Sequence, residues 1–461
     1  MMEKELASCT YDRDRLKIVG VGVKGVPMSP AFLKEATEQL VGGWLETLGK
    51  VLGESAAPWP KPRTLHMDFF GGCFAFPPTK AMLGPDGKIL MWCSAGVTSI
   101  ADHFGGNLGD LSRAIFADET RRAGRSMEDI MGDVIESSNG SDKLDGRTIS
   151  IAGILDIYDH EHTAFGAGGP RQLAPVLVSA QDMAQAVDGF FCAGSSPLEP
   201  AGAEHSRSYF AKRNQELFLL GPQMSEKDWA APSVGPGPDD TTIKSFLDSA
   251  VQKYGASSVL YISFGSFFFP VATPHLVEAM IDVLLDLETP IPFVFVLAGP
   301  MASLPKATID RIHDSGKGLV CDSWVDQKAI LQSGSIGWFL THGGYNSLTE
   351  SLSQGIPLIF WPIGAEQAVN AAVFSQEPHA IGIELFQIRA GKQLGPSLRP
   401  EAPKITGTVE DAKTEFAQTF AALKGSKGKG LREAAAKIGR LWREERVDGE
   451  SARELIRFIQ Y

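Results

Sequence analysis

The chain has 461 residues, 43% hydrophobic and 21% charged, with a net charge of −12, a balance that suits two or three packed domains and leaves no basic stripe for nucleic acid. Its five cysteines (Cys9, Cys73, Cys93, Cys192, Cys321) include no CxxC pair, which excludes the usual zinc spacings and suits a reducing compartment. The polar opening MMEKELASCTYDRDR reads as no signal peptide, and no apolar run approaches the ~20 residues that cross a bilayer, so a soluble cytoplasmic protein without a transmembrane segment is expected.

In the first half, LKIVGVGV (16–23), TLHMDFF (64–70), KILMWCS (88–94) and DGFFCAG (188–194) read as strands separated by helical stretches. Gly20, Gly22 and Gly25 match GxGxxG literally, the mark of a dinucleotide-binding oxidoreductase using NAD. That fingerprint needs a helix opening on its glycines, and Pro27 and Pro30 stand where the helix should run. DIYDHEHT (156–163) could bind a cation, but no further ligands follow at a recognisable spacing, and no metal is expected. GPQMSEKDWAAPSVGPGPDD (221–240) has the Pro/Gly/Asp composition of a linker and divides the chain.

The second half alternates regularly. SVLYISFG, PFVFVLAG, GLVCDS, IGWFLTH, IPLIFWP and AIGIEL read as buried parallel strands. Helical segments lie between them, as over 274–288, where Leu276, Met280, Leu284 and Leu287 form one stripe. This alternation predicts a doubly wound α/β domain that binds its ligand at the carboxyl ends of the strands. The basic run over 424–446 alternates with acidic and small residues and reads as a solvated surface helix.

Two loops in this half suit a diphosphate. Ser263–Ser266 (SFGS) and THGGYNSLTE (341–350) each leave an apolar strand, pass through glycine and lead toward a helix. Glycine lets the backbone approach a phosphate, and a helix N-terminus offers N–H groups and the positive end of a dipole. Asn346 or Ser347 could instead be a helix cap, and Ser347-x-x-Glu350 has the form of a capping box. His342 stands before the two glycines, where a developing pyrophosphate charge could be stabilised. Trp324 follows the strand GLVCDS and could stack on a base or simply pack. Glu366 and Gln367 follow WPIGA, a carboxylate beside an amide that suits sugar hydroxyls and also begins many helices.

The ordering of these pieces is more telling than any one of them. From Trp324 to Gln367 run WVDQ, GWFLTHGGYNSLTESL, GIPLIFWP and the Glu366–Gln367 pair, 44 residues in all. This resembles the donor-binding signature of the family 1 UDP-glycosyltransferases. YISFGS (261–266), DGFFCAGSSPLE (188–199) and ELFLLGP (216–222) resemble other family segments in the right order.

The resemblance implies a GT-B fold, two facing Rossmann-like domains with the N-terminal one incomplete. It places an acceptor-side domain at 1–221, a linker at 222–240, a UDP-sugar domain at 241–445 and a C-terminal helix at 446–461 that returns to the first domain. Trp324 would stack on uracil beside the Val325 backbone and Gln327, and Glu350 would bind the ribose hydroxyls. His342, Gly344, Asn346, Ser347 and the Ser266 loop would hold the diphosphate, and Glu366 and Gln367 the sugar. The family usually has tryptophan where Tyr345 stands, and Tyr345 would still pack beside the sugar. The implied activity is inverting transfer of a hexose from UDP to a hydroxyl of a small lipophilic acceptor by a monomer, with no cofactor, and Gln367 favours glucose.

One family feature has no counterpart. Members begin with a strand and a Gly-His loop whose histidine is the general base, whereas the first histidine here is His66. About two βα units, roughly 60 residues at ~30 per unit, are therefore expected to be missing. Asp68 matches the aspartate that orients that histidine and is the one catalytic residue the resemblance supplies. A catalytically impaired or non-catalytic UDP-sugar binder is the alternative this raises.

Overall fold

A computed structural model describes residues 30–53, 61–138, 146–162, 170–229, 238–377, 380–400 and 402–461. The strand expected over 16–23, its glycine pattern, Thr163 and the middle of the 221–240 linker lie outside these residues.

Strands β1 (Thr64–Asp68), β2 (Lys88–Cys93), β5 (Gly189–Cys192) and β6 (Glu216–Leu219) form one parallel sheet in the order β1-β2-β5-β6. Two short strands, β3 (Thr148–Ile149) and β4 (Ile157–Tyr158), pair antiparallel outside it. The second sheet holds β7 (Val259–Ser263), β8 (Phe293–Val296), β9 (Gly318–Cys321), β10 (Ile336–Thr341), β11 (Leu358–Phe360) and β12 (Gly382–Glu384). All its pairings are parallel, in the order β12-β11-β10-β7-β8-β9.

The second sheet is apolar along its length because both faces are covered. Every residue of β7, β8, β10 and β11 is buried, as parallel strands under helices on two sides require. On one face Leu260, Ile262, Phe295 and Leu340 pack with Leu276, Met280 and Leu284 of the Pro274–Asp286 helix. On the other, Tyr261, Val294, Phe339 and Leu358 pack with Leu348 and Leu352. Leu287, expected on the helical stripe, lies just past the helix as its C-cap.

The basic segment is a helix, Ser426–Glu445, but it is not only a solvated surface element. Leu431, Ala435 and Trp442 recur on one face and are buried, and the helix packs against Tyr345–Ser353. The alternation of charge describes its outer face alone. The last helix, Glu450–Gln460, returns to the first sheet. Its Phe458 ring lies 4.8 Å from His66, 4.9 Å from Phe191 and 5.3 Å from Phe218, and Arg457 pairs with Glu216 at 2.6 Å.

Candidate active site

The order of the second sheet fixes where a ligand can sit. The chain builds β7, β8 and β9 outward in one direction, then crosses to β10 and builds the other way. Helices therefore leave β7 and β10 on opposite faces, and a crevice opens beyond the carboxyl ends of these neighbours. Ser263 and Thr341 are register partners at that end, so the SFGS and THGG loops lie side by side.

Glycines set how close they come. Gly265 has φ +76°, and a Cβ there would lie 2.7 Å from His342 Cε1; one on Gly344 would lie 2.5 Å from His342 Nε2. The imidazole fills the space that two missing side chains leave. It is buried beside Phe268, its Nδ1 is 3.2 Å from Thr341 Oγ1, and burial lowers its pKa to about 4. At neutral pH His342 is an uncharged hydrogen-bonding group.

The helix Tyr345–Ser353 begins at Gly344, which is its N-cap, with no side-chain cap. The expected capping by Asn346 or Ser347 is therefore corrected. Both lie inside the first turn, one exposed and one buried. Glu350 does not fold back in a capping box. Its Oε2 accepts from Gln327 Nε2 at 2.7 Å, the same Nε2 is 3.5 Å from Ser347 Oγ, and Tyr261 donates to Gln327 Oε1 at 3.3 Å. Burial raises the pKa of Glu350, and the Gln327 bond opposes that rise.

Gln327 opens the Gln327–Gln332 helix just after Trp324 and Val325. Trp324 is 64% exposed, unusual for so large an apolar ring, while Val325 is half-buried and Ser266 exposed. Glu366 is the N-cap residue of Gln367–Ser375. Its Oε1 accepts from Tyr345 N–H at 3.3 Å, and burial raises its pKa. Gln367 is buried, its Oε1 taking N–H bonds from Ile363 and Gly364, both at 2.8 Å. That oxygen shapes the loop, whatever its amide nitrogen contacts.

Tyr345 also reaches across to the first domain. Its ring is buried against the first domain, and its hydroxyl donates to Glu199 Oε2 at 3.0 Å. Glu199 also accepts from the N–H groups of Val97 (3.2 Å) and Thr98 (3.1 Å), the first turn of Val97–Phe104. A Cβ on Gly96 would lie 2.7 Å from the Tyr345 ring. The two domains meet at this point through a carboxylate that sequence reasoning missed.

A cavity of about 220 Å³ lies between the halves, lined by Trp92, Ala193, Gln223, Met224, Lys328 and, among the expected residues, Asn346 and Glu350. Trp92 and Ala193 stand at the ends of β2 and β5, where strand-end placement alone pointed. Asp68 ends β1 and caps the Phe69–Leu83 helix, its Oδ1 accepting from Gly71 N–H at 2.8 Å. His66 lies against the tilted rings of Phe191 and Phe458 and remains exposed. In the 156–163 motif, His160 bonds Pro396 O, Glu161 bonds Tyr158 N–H, and His162 bonds Asp102. Among the described residues no group of three acidic, histidine or cysteine side chains is placed to hold a metal.

Residues 239–390 match the family model described as UDP-glucoronosyl and UDP-glucosyl transferase. Over this stretch the chain is similar to the UDP-glycosyltransferases. It is 30% identical to the UDP-glycosyltransferase eriJ of Hericium erinaceus over 340 residues, 69% of this chain and 63% of that one. It is 32% identical to the nuatigenin 3-beta-glucosyltransferase of Solanum aculeatissimum over 222 residues, 46% of this chain and 42% of that one. The chain thus spans less than two thirds of the length of these curated relatives. A Medicago truncatula UGT solved with UDP-glucose superimposes with a TM-score of 0.64 at 18% identity, covering 100% of this chain and 87% of its own. A Polygonum tinctorium UDP-glucosyltransferase capable of glucosylating indoxyl gives 0.62 at 20%, covering 96% and 85%. The fold of the chain is GT-B.

Proposed function

We propose that the chain transfers a hexose, glucose, from UDP to a hydroxyl of a small lipophilic acceptor, inverting the anomeric carbon. The carrying observation is the switch-point crevice, where the Ser266 loop, neutral His342 and an N-terminus with no side-chain cap adjoin the Gln327–Glu350 pair. Trp324 offers an exposed face for uracil. Glu350, released from Gln327 or sharing it, accepts from the ribose hydroxyls. The diphosphate meets N–H groups and the helix dipole at Gly344–Ser347, a placement that needs no metal. Glu366 and Gln367 close on the sugar. Asp68 stands at the acceptor side, held by Gly71.

Inversion requires the acceptor oxygen to attack C1 from the face opposite the diphosphate. A C1–O bond forms as the C1–O–P bond breaks, and the electron pair leaves with UDP. Hydrogen bonds to the leaving diphosphate strengthen as its charge grows, so this arrangement favours the transition state. The cavity of about 220 Å³ is below the ~300–1,000 Å³ usual for small-molecule sites and takes one end of the donor, the remainder lying along the open crevice by Trp324. The reading includes a cytoplasmic location and a monomer; the four described cysteines are free, which fits a reducing compartment, and among the described residues no helix is long and apolar enough to cross a membrane.

Calorimetry with UDP tests the donor site. Trp324→Ala should bind more weakly by about 1 kcal/mol or more, the loss of one stacking face. Equal affinity removes Trp324 from the site.

A further inference from the structure

Charged and strongly polar side chains are rarely buried without partners, yet Asp159, His160 and Glu161 are 2%, 6% and 1% exposed. The partners of His160 and Glu161 include groups of the second domain, 236 positions along the chain. His160 Nε2 lies 2.7 Å from Pro396 O, which only accepts, so Nε2 donates. One oxygen of Glu161 accepts from the Ser397 hydroxyl. The other accepts from Leu398 N–H at 3.2 Å and from Tyr158 N–H, in its own segment, at 3.0 Å. Beside them Leu155 N–H donates to Gln376 Oε1 at 2.9 Å. A Cβ on Gly395 would lie 3.0 Å from His160 Nε2, so the loop and the imidazole are in close contact.

Both sides of this contact are anchored in their own domain. In the first, His162 Nε2 lies 2.9 Å from Asp102 Oδ2 on the Val97–Phe104 helix, and Ile157–Tyr158 pairs with Thr148–Ile149. In the second, Gly395 and Ile405 exchange backbone bonds of 3.0 and 2.8 Å. Arg399 reaches Glu384 of β12 at 2.6 Å, Arg389 holds the same carboxylate at 2.8 Å, and all three side chains are buried. Neither side is a free loop, so the bonds between them fix one domain against the other.

What this contact steadies is the Gln367–Ser375 helix. It starts at the expected sugar-binding pair, and Gln376 is its C-cap. Its nine residues at ~1.5 Å each put the two ends about 13 Å apart. Along that length it packs against Val97–Phe104 and Asp159–His162. The chain itself joins the domains elsewhere, through 221–240 and ahead of the Glu450–Gln460 helix. Here noncovalent contacts hold the sugar-binding helix to the first domain.

Resting on the reading given above, we propose that residues 155–162 and 395–398 form a clasp between the domains, with Glu161 as a positioning residue for sugar transfer. The clasp holds the far end of the Gln367–Ser375 helix, and through it sets Glu366 and Gln367 against the acceptor side. The residues assigned to uracil, ribose and diphosphate lie in the second domain alone, so UDP binding does not depend on the clasp. Transfer does, because an oxygen held by one domain must meet a carbon held by the other.

The test uses the full chain, with Glu161→Ala and with Glu161→Gln, which keeps one accepting oxygen. Each is measured by UDP calorimetry, by amide exchange on the peptide holding Leu155, and by turnover of UDP-glucose with a panel of simple phenols. In Glu161→Ala, Leu155 N–H should exchange about tenfold faster or more, the weight of bonds to a buried carboxylate, although its own partner Gln376 is unchanged. The turnover number should fall about tenfold or more, as for a displacement of under ~1 Å between reacting groups. UDP affinity and the KM for UDP-glucose should stay within about twofold, a split that a general loss of fold would not give. Glu161→Gln should recover part of both losses. Should Glu161→Ala fail to fold, Ser397→Ala, which removes one donor from the other side, should show the same two changes at smaller size. If Leu155 exchange is unchanged, the segment is not a clasp. If exchange quickens but turnover stays within about twofold, Glu161 is not a positioning residue. If the unchanged protein binds UDP but glucosylates no phenol, the transfer reading falls and the positioning role with it, while the donor site stands. If it does not bind UDP at all, the donor reading falls first.

Discussion

The two sheets of this protein solve different problems. The six-stranded one reverses its strand order between β7 and β10, and that reversal opens a crevice at a place fixed by topology. Residues at that crevice are hydrogen-bonded to one another, as Gln327 to Glu350 and Glu366 to the Tyr345 amide. The four described strands of the other sheet run β1-β2-β5-β6 without reversal. It offers strand ends and the ends of helices, and its polar groups there, Asp102, His103 and His162, come from segments far apart in the chain. The six-stranded half is a preformed mould, and the four-stranded half is an assembly of contributions from separate segments.

That contrast can be broken first at Gly265. With φ +76° and a Cβ position 2.7 Å from His342, Gly265→Ala should lose about 3–4 kcal/mol of stability from left-handed strain and overpacking together, read as a lower urea midpoint. A loss below about 1 kcal/mol, the scale of strain alone, means that the His342 cradle is not rigid.

Acid should expose the same cradle. Burial lowers the folded pKa of His342 to about 4 from the ordinary 6.5, so between those values the unfolded chain binds the proton first. The contribution is whole above about pH 6.5 and falls away as pH drops toward 4, by up to about 3 kcal/mol. Urea midpoints from pH 7 to pH 4.5 should fall less steeply for His342→Gln than for the unchanged protein. Parallel slopes would mean that His342 is not the titrating group.

Tyr345→Phe sharpens the comparison at the seam. It removes one of the donors to the buried Glu199 and should cost about 1–2 kcal/mol, measured the same way, with UDP affinity little changed. A large loss of UDP affinity instead would make Tyr345 part of the donor site. The smallest effect belongs to Asp68. Asp68→Asn keeps an oxygen for Gly71 N–H and should shift stability by less than about 0.5 kcal/mol, since both residues cap well. If sugar transfer falls more than about tenfold in that variant, the charge of Asp68 serves the reaction as well as the helix.

What could be read from the sequence divides along the same line. β7 to β12 announce themselves as apolar runs because a parallel sheet covered on both faces admits little else. The stretch from Trp324 to Gln367 is legible because its loops, glycines and strand ends are local. The sequence pattern failed where a partner is remote. Nothing near Tyr345 points to Glu199, 146 positions away, and nothing near His162 points to Asp102, 60 away. The false capping box over Ser347–Glu350 has the same origin, since Glu350 is claimed by Gln327 on a neighbouring helix.

The meeting of Gly96, Glu199 and Tyr345 also bears on how such a protein can diverge. Three segments supply one interlocking unit: a residue with no side chain, a carboxylate and a phenol. A tryptophan at 345 brings a larger ring to a face where even a methyl group on Gly96 would collide, and it carries no hydroxyl for Glu199. A change at any one position is therefore penalised until the others follow. Lineages should inherit the three together, and recombination that separates them should yield halves that fold but no longer fit.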